Sequence, residues 1–150
     1  MTIRYTILGL TLALAPFAAS ADDFEVRMLN VSSGGEKTMV FEPALLKIAP
    51  GDTVTFVPTD RGHNSTSMEA MIPAGAAGWD GAISEPVTFT FAVEGTYGYI
   101  CEPHYGLGMV GLILVGDFER NFDVVRDVRQ RGRAAKRFDD LLEQAGAMTN

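Results

Sequence analysis

The residues best equipped for chemistry in this chain are crowded into one short stretch, Tyr99-Ile100-Cys101-Glu102-Pro103-His104-Tyr105-Gly106-Leu107-Gly108-Met109. It holds the only cysteine, one of the two histidines and a methionine, spaced Cys-x2-His-x4-Met. A thiolate, an imidazole and a thioether in one loop form a soft nitrogen-and-sulfur donor set, which suits copper better than magnesium, calcium or ordinary zinc. The other histidine, His63, lies far upstream, and only folding can bring it to the same place.

Each residue also has a plainer reading. Free cysteine is among the most buried residue types, so Cys101 alone would be a small core hydrophobe. Met109 opens an apolar run and could be core, and His63 could be a hydrogen-bonded structural histidine. The combination favours ligation: His104 follows Cys101 by three residues, and two glycines let the loop fold back towards Met109. Two imidazoles and a thiolate in a plane, with a weak axial thioether, satisfy both Cu(I) and Cu(II) without a change of geometry. Zinc usually takes a further Cys, His or carboxylate, and Glu102, next to Cys101, is expected to point away. One cysteine excludes haem attachment through Cys-x-x-Cys-His. Four protein ligands leave no open position for a substrate, so the set reads as an electron carrier and not an enzyme.

The surroundings of the ligands can be read too. Pro103 has no N–H to offer a thiolate, which leaves the backbone of Asn64 as the natural donor. The Asn64 side chain is expected to tie the two ligand loops together, and Met39 and Tyr105 to pack near the His104 ring. The alternative from a different class is a copper chaperone or storage protein, hinted at by Met68-x-x-Met71. A thiol enzyme using Cys101 and a histidine has no nucleophile motif behind it.

The elements that must position these residues are mainly strands. Residues 24–30, 39–42, 45–48, 53–57, 87–93, 96–100 and 109–115 alternate or run apolar between turn signals such as Pro50-Gly51-Asp52. About eight short strands at fairly even spacing, with turns between them, predict a mainly β sandwich or barrel over 22–116. Residues 68–81 read as a long surface connection with one helical turn near Glu69. From Asp117, expected to cap a helix, two amphipathic helices follow over 117–150. Phe118, Phe122, Val125 and Val128 share one face, and Ala134, Phe138, Leu141, Leu142 and Ala145 share another. Their expected role is to cover one side of the sandwich within a single domain. Arg126, Arg129, Arg131, Arg133, Lys136 and Arg137 read as a solvated basic face.

Residues 1–21 read as a secretory signal: Arg4, an apolar core from Ile7 to Leu14, and Ala19-Ser20-Ala21 as a cleavage site. The apolar run is shorter than the roughly 20 residues that cross a bilayer. Cleavage after Ala21 would leave an exported domain, in which a lone thiol is a liability unless something uses it. The net charge is −7, which argues against nucleic acid and anionic membrane surfaces as partners.

With Met39-Val40-Phe41-Glu42-Pro43, Pro50-Gly51-Asp52-Thr53-Val54, Gly62-His63-Asn64, Met71-Ile72-Pro73 and Cys101-x-Pro-His104-Tyr105 followed by Gly108-Met109, the mature chain resembles the cupredoxins, and among them the pseudoazurin branch. The resemblance implies a mainly β, eight-stranded Greek-key sandwich of the cupredoxin kind with two C-terminal helices. It implies type 1 (blue) copper on His63, Cys101, His104 and Met109, and a monomeric periplasmic carrier. The partners it implies are a copper nitrite reductase, as in denitrification, a c-type cytochrome or an amine dehydrogenase. They would dock transiently on a small apolar patch around His104, Tyr105, Leu107 and Pro58. One departure from that branch is charge. The sandwich has Arg27, Lys37, Lys47 and Arg61 against twelve carboxylates, where the branch sets lysines around its exposed histidine.

Overall fold

A computed structural model describes residues 21–148, so the expected signal segment lies outside the described residues except for Ala21. Eight strands form two four-stranded sheets: β1 (Asp23–Val31), β2 (Thr38–Glu42), β3 (Leu45–Ile48), β4 (Thr53–Pro58), β5 (Thr66–Ser67), β6 (Val87–Thr90), β7 (Gly95–Ile100) and β8 (Val110–Val115). One sheet has the order β2-β1-β4-β6 and the other β3-β8-β7-β5. The β1–β4 and β3–β8 pairs are parallel and the others antiparallel, so the sheets are mixed.

The alternation seen in the sequence follows from this layering. In β1 and β4, Val26, Met28, Val54 and Phe56 are buried between the sheets while Glu25 and Arg27 face out. β8 has no outward polar face because both its faces are covered. Ile113 and Val115 enter the core between the sheets, and Val110 and Leu112 enter a second core beneath the helices. That second core is completed by α1 (Phe122–Asp127) and α2 (Gly132–Gly146), through Val125, Ala134, Phe138, Leu141 and Leu142. The molecule thus has three layers, and β8 is the middle of them.

Several local expectations change. The strand expected over 87–93 ends at Thr90, where Phe91 turns into the core and exchanges backbone bonds with Asp52 and Gly51. A two-residue strand, β5, follows His63 with no hydrophobic pattern to announce it. The connection over 68–81 contains the expected helical turn, Glu69–Met71, but also anchors the core. Trp79 stacks on Phe56 at 5.3 Å and donates its indole N–H to Ser65 Oγ at 2.9 Å. Asp117 gives no capping bond. Its carboxylate pairs instead with Arg120, and the first turn after it, Phe118–Asn121, is a 3-10 helix leading into α1.

Candidate metal centre

The loop after β7 is a 3-10 helix, Glu102–Leu107, ended by Gly108 at φ 85°, a conformation that glycine adopts without strain. Its backbone closes on itself. His104 N–H donates to Cys101 O, Met109 N–H to His104 O, and Cys101 N–H to Met109 O. The three sequence-predicted ligands of this stretch are therefore held in one small ring of main-chain bonds. His63 arrives from the other side, after β4 and the left-handed Gly62. Ser84 fastens that turn, accepting Gly62 N–H on its hydroxyl at 2.9 Å and donating its own N–H to His63 O at 2.8 Å.

Folding brings His63, Cys101 and His104 together, buried, buried and half-buried. His63 Nδ1 stands 3.7 Å from Cys101 Sγ, His104 Nδ1 3.4 Å from the same sulfur, and the two nitrogens 3.0 Å from each other. A point equidistant from three atoms so spaced lies about 2 Å from each, which matches imidazole and thiolate bonds of about 2.0–2.3 Å to a metal ion. The donor set and its spacing therefore fit copper. Met109 is fully buried in the same core cluster as Cys101.

The His63 tautomer is arranged for ligation, whereas Cys101 must give up a proton to ligate. His63 Nε2 faces Asn30 Oδ1 at 3.0 Å, so an Nε2–H donated there leaves the Nδ1 lone pair for the site. Burial pushes the His63 imidazole below its ordinary range, helped by His104 and opposed by Asp60. Burial also pushes the Cys101 thiol up, with Glu102 adding to it. Backbone N–H groups of Asn64 and His104 donate to the sulfur and oppose the rise. The Asn64 donor is the expected one; the His104 donor is additional.

Asn64 does join the two loops. Its Oδ1 accepts Glu102 N–H at 2.9 Å, and its Nδ2 donates to Glu102 Oε2 at 2.8 Å and Gly81 O at 3.0 Å. Glu102 is thus outside the ligand group but part of its support. Met39 packs against the core between the sheets with a φ of 50°. Tyr105 packs towards the helices, its hydroxyl donating to Gln130 at 2.7 Å. Pro103 and Leu107 are exposed beside half-buried His104, and Pro58 is half-buried at the end of β4. Met71 is fully buried against Gly98 and the helical layer, so packing accounts for it. Sequence reasoning missed Asn30 and Ser84. Neither has a motif, and only the fold puts them beside His63.

Comparison with known proteins agrees with this geometry. The family model for copper binding proteins of the plastocyanin/azurin family matches residues 26–116. A pseudoazurin from Methylorubrum extorquens is 40% identical over 147 residues, covering 96% of this chain and 98% of the relative. A second, from Paracoccus pantotrophus, is 42% identical over 135 residues, covering 90% of each. Among solved structures, a pseudoazurin from Sinorhizobium superposes with a TM-score of 0.80 at 39% identity, over 84% of this chain and 98% of that one. Native pseudoazurin from Hyphomicrobium denitrificans gives a TM-score of 0.77 at 41% identity, over 81% and 97%. The chain therefore belongs to the plastocyanin/azurin family of copper-binding proteins, on its pseudoazurin branch.

Proposed function

We propose that this protein is a periplasmic one-electron carrier whose type 1 copper is held by His63, Cys101, His104 and Met109. Copper in such a set supplies a Cu(II)/Cu(I) couple that needs little rearrangement. The observation that carries the reading is the triangle of two Nδ1 atoms and one Sγ, with edges of 3.0, 3.4 and 3.7 Å, held by hydrogen bonds from both loops. Asn30 fixes the His63 tautomer, Asn64 and His104 N–H groups stabilise negative charge on sulfur, and the buried surroundings exclude water. A site already shaped in this way loses little energy to reorganisation when charge changes.

The carrier role fits the exposure of the ligands. His63 and Cys101 are inaccessible, whereas His104 is half-buried and flanked by Pro103 and by Leu107, which is 43% exposed. The His104 edge is the route for electrons, with Leu107 and Pro58 in the docking patch. A small apolar patch suits brief encounters with redox proteins such as a copper nitrite reductase, a c-type cytochrome or an amine dehydrogenase. The chain acts as a monomer, is exported, and is cleaved after Ala21. Among the described residues no helix is long and apolar enough to cross a membrane.

The test is a visible absorption spectrum of the mature protein with one equivalent of Cu(II), then a reductant. An intense thiolate-to-copper band that bleaches and returns supports the carrier. Colourless binding, with ready loss of Cu(I) to a chelator, would replace it with the chaperone reading.

A further inference from the structure

Most of the basic residues on the helices are solvated, as expected, or pair locally, as Arg126 does with Asp123 and Lys136 with Asp140. Arg137 does something else. Half-buried on α2, it has no carboxylate partner among the described residues and gives its guanidinium to three main-chain oxygens. Nη1 donates to Met39 O at 2.7 Å and to Gly108 O at 2.9 Å, and Nη2 donates to Thr38 O at 2.8 Å. One planar fork therefore joins the helical layer, the start of β2 and the end of the metal loop.

The carbonyls it chooses belong to unusual backbone. Met39 has a φ of 50°, one of two non-glycine residues in the left-handed region among those described, and Gly108 has a φ of 85°. Such a conformation at a methionine persists only where its surroundings hold it. Gly108 O also lies in the peptide that leads to Met109, whose N–H is bonded to His104 O and whose own carbonyl accepts Cys101 N–H. Fixing the Gly108 carbonyl fixes the plane of that peptide and the direction in which Met109 leaves it. The opposite side is closed as well, since a Cβ on Gly108 would stand 3.0 Å from Arg133 O on the same helix.

We propose that Arg137 is a positioning residue of the metal centre: from α2 it locks the Gly108–Met109 peptide and Met39, and so sets where Met109 presents its thioether. The proposal rests on Met109 being the fourth ligand, and gives the helical layer a part in tuning the site. Support of this kind for ligands is worth about 10- to 100-fold in metal affinity.

The test compares the full mature protein with Arg137→Met, Arg137→Lys, Leu141→Ala and Met109→Leu. Each is titrated with Cu(II) for the ratio of its visible thiolate-to-copper bands, and with a Cu(I) chelator for affinity. Arg137→Met is expected to bind one copper with an altered band ratio and at least about tenfold weaker Cu(I) binding. Arg137→Lys, with charge but no fork, is expected to move both the same way by less. Leu141→Ala, which loosens the same helix without touching the carbonyls, is expected to lower the melting temperature alone. If neither Arg137 variant changes ratio or affinity, or Leu141→Ala reproduces their change, the proposal is overturned. If Met109→Leu leaves the spectrum untouched, Met109 is not a ligand and the underlying reading fails first. Should Arg137→Met not fold, the lysine variant decides by the same criterion.

Discussion

Asn64 and Glu102 hold each other across 38 residues of sequence, through a pair of bonds at 2.9 and 2.8 Å that runs in both directions between side chain and side chain and side chain and backbone. This is the strut between the loop that delivers His63 and the loop that delivers Cys101 and His104. Replacing Asn64 by Leu removes it and strands Glu102 N–H and Gly81 O. The metal-free protein should lose about 1–3 kcal/mol of unfolding free energy, and copper affinity should fall about 10- to 100-fold. Denaturant unfolding and chelator competition measure the two. Unchanged affinity would mean that the loops are held by other contacts.

Metal uptake should depend on pH with a definite sign. In the metal-free protein the raised Cys101 thiol keeps its proton at neutral pH, while the lowered His63 imidazole is already neutral. Binding must expel the thiol proton, so affinity rises with pH, by about tenfold per unit for that one proton between about pH 7 and 8, above the ordinary imidazole range. A Co(II) titration at several pH values reads the slope. A flat profile would show a thiolate already ionised before metal arrives.

The amide nitrogen of Asp22 lies 2.8 Å from Oδ1 of Asp52, a residue that is 3% exposed and whose second carboxylate oxygen takes Ala49 N–H at 2.7 Å. Cleavage after Ala21 would turn that amide into an ammonium facing a buried carboxylate. The chain beginning at Asp22 should then be more stable than one carrying extra residues before it, by about 1–3 kcal/mol. Asp52→Asn should remove the difference. Equal melting of both forms in the wild type would contradict the pairing.

Tyr99 is fully buried among Phe41, Phe56 and Trp79, and its hydroxyl has no hydrogen-bond partner among the described residues. Tyr99→Phe removes only that group, so it should leave stability unchanged or raise it by about 1–3 kcal/mol. Gly111, opposite Tyr99 on β8, leaves room for the ring: a Cβ there would fall 2.3 Å from it. Gly111→Ala should therefore destabilise the protein by about 1–3 kcal/mol. Thermal melts of the two variants should move apart, and movement in the same direction would contradict this packing.

Much of this was legible before any fold was seen. Strands such as Thr53–Pro58 announce themselves by alternation, and the wholly apolar β8 by having to be covered twice. The metal loop was legible because its donors are close in sequence and rare in type. What stayed hidden depends on distant chain segments. Asn30 supports His63 only because β1 runs parallel to β4, and Trp79 fills the core from a stretch with no periodicity. Arg137 looked like one more solvated charge, since nothing local reveals that two carbonyls at the start of β2 and one at the end of the metal loop await it. The bond from the Tyr105 hydroxyl to Gln130, between α1 and α2, was equally hidden, since the sequence places Tyr105 only beside His104.

Cys101, with His63 and His104, is proposed to make a redox-active copper site. Its most direct measurement is the visible spectrum of Cys101→Ser beside the wild type, each loaded with one equivalent of Cu(II) and then reduced. The wild type should show an intense band that bleaches on reduction and returns on oxidation, and the variant no such band. An intense band that survives in Cys101→Ser would contradict it.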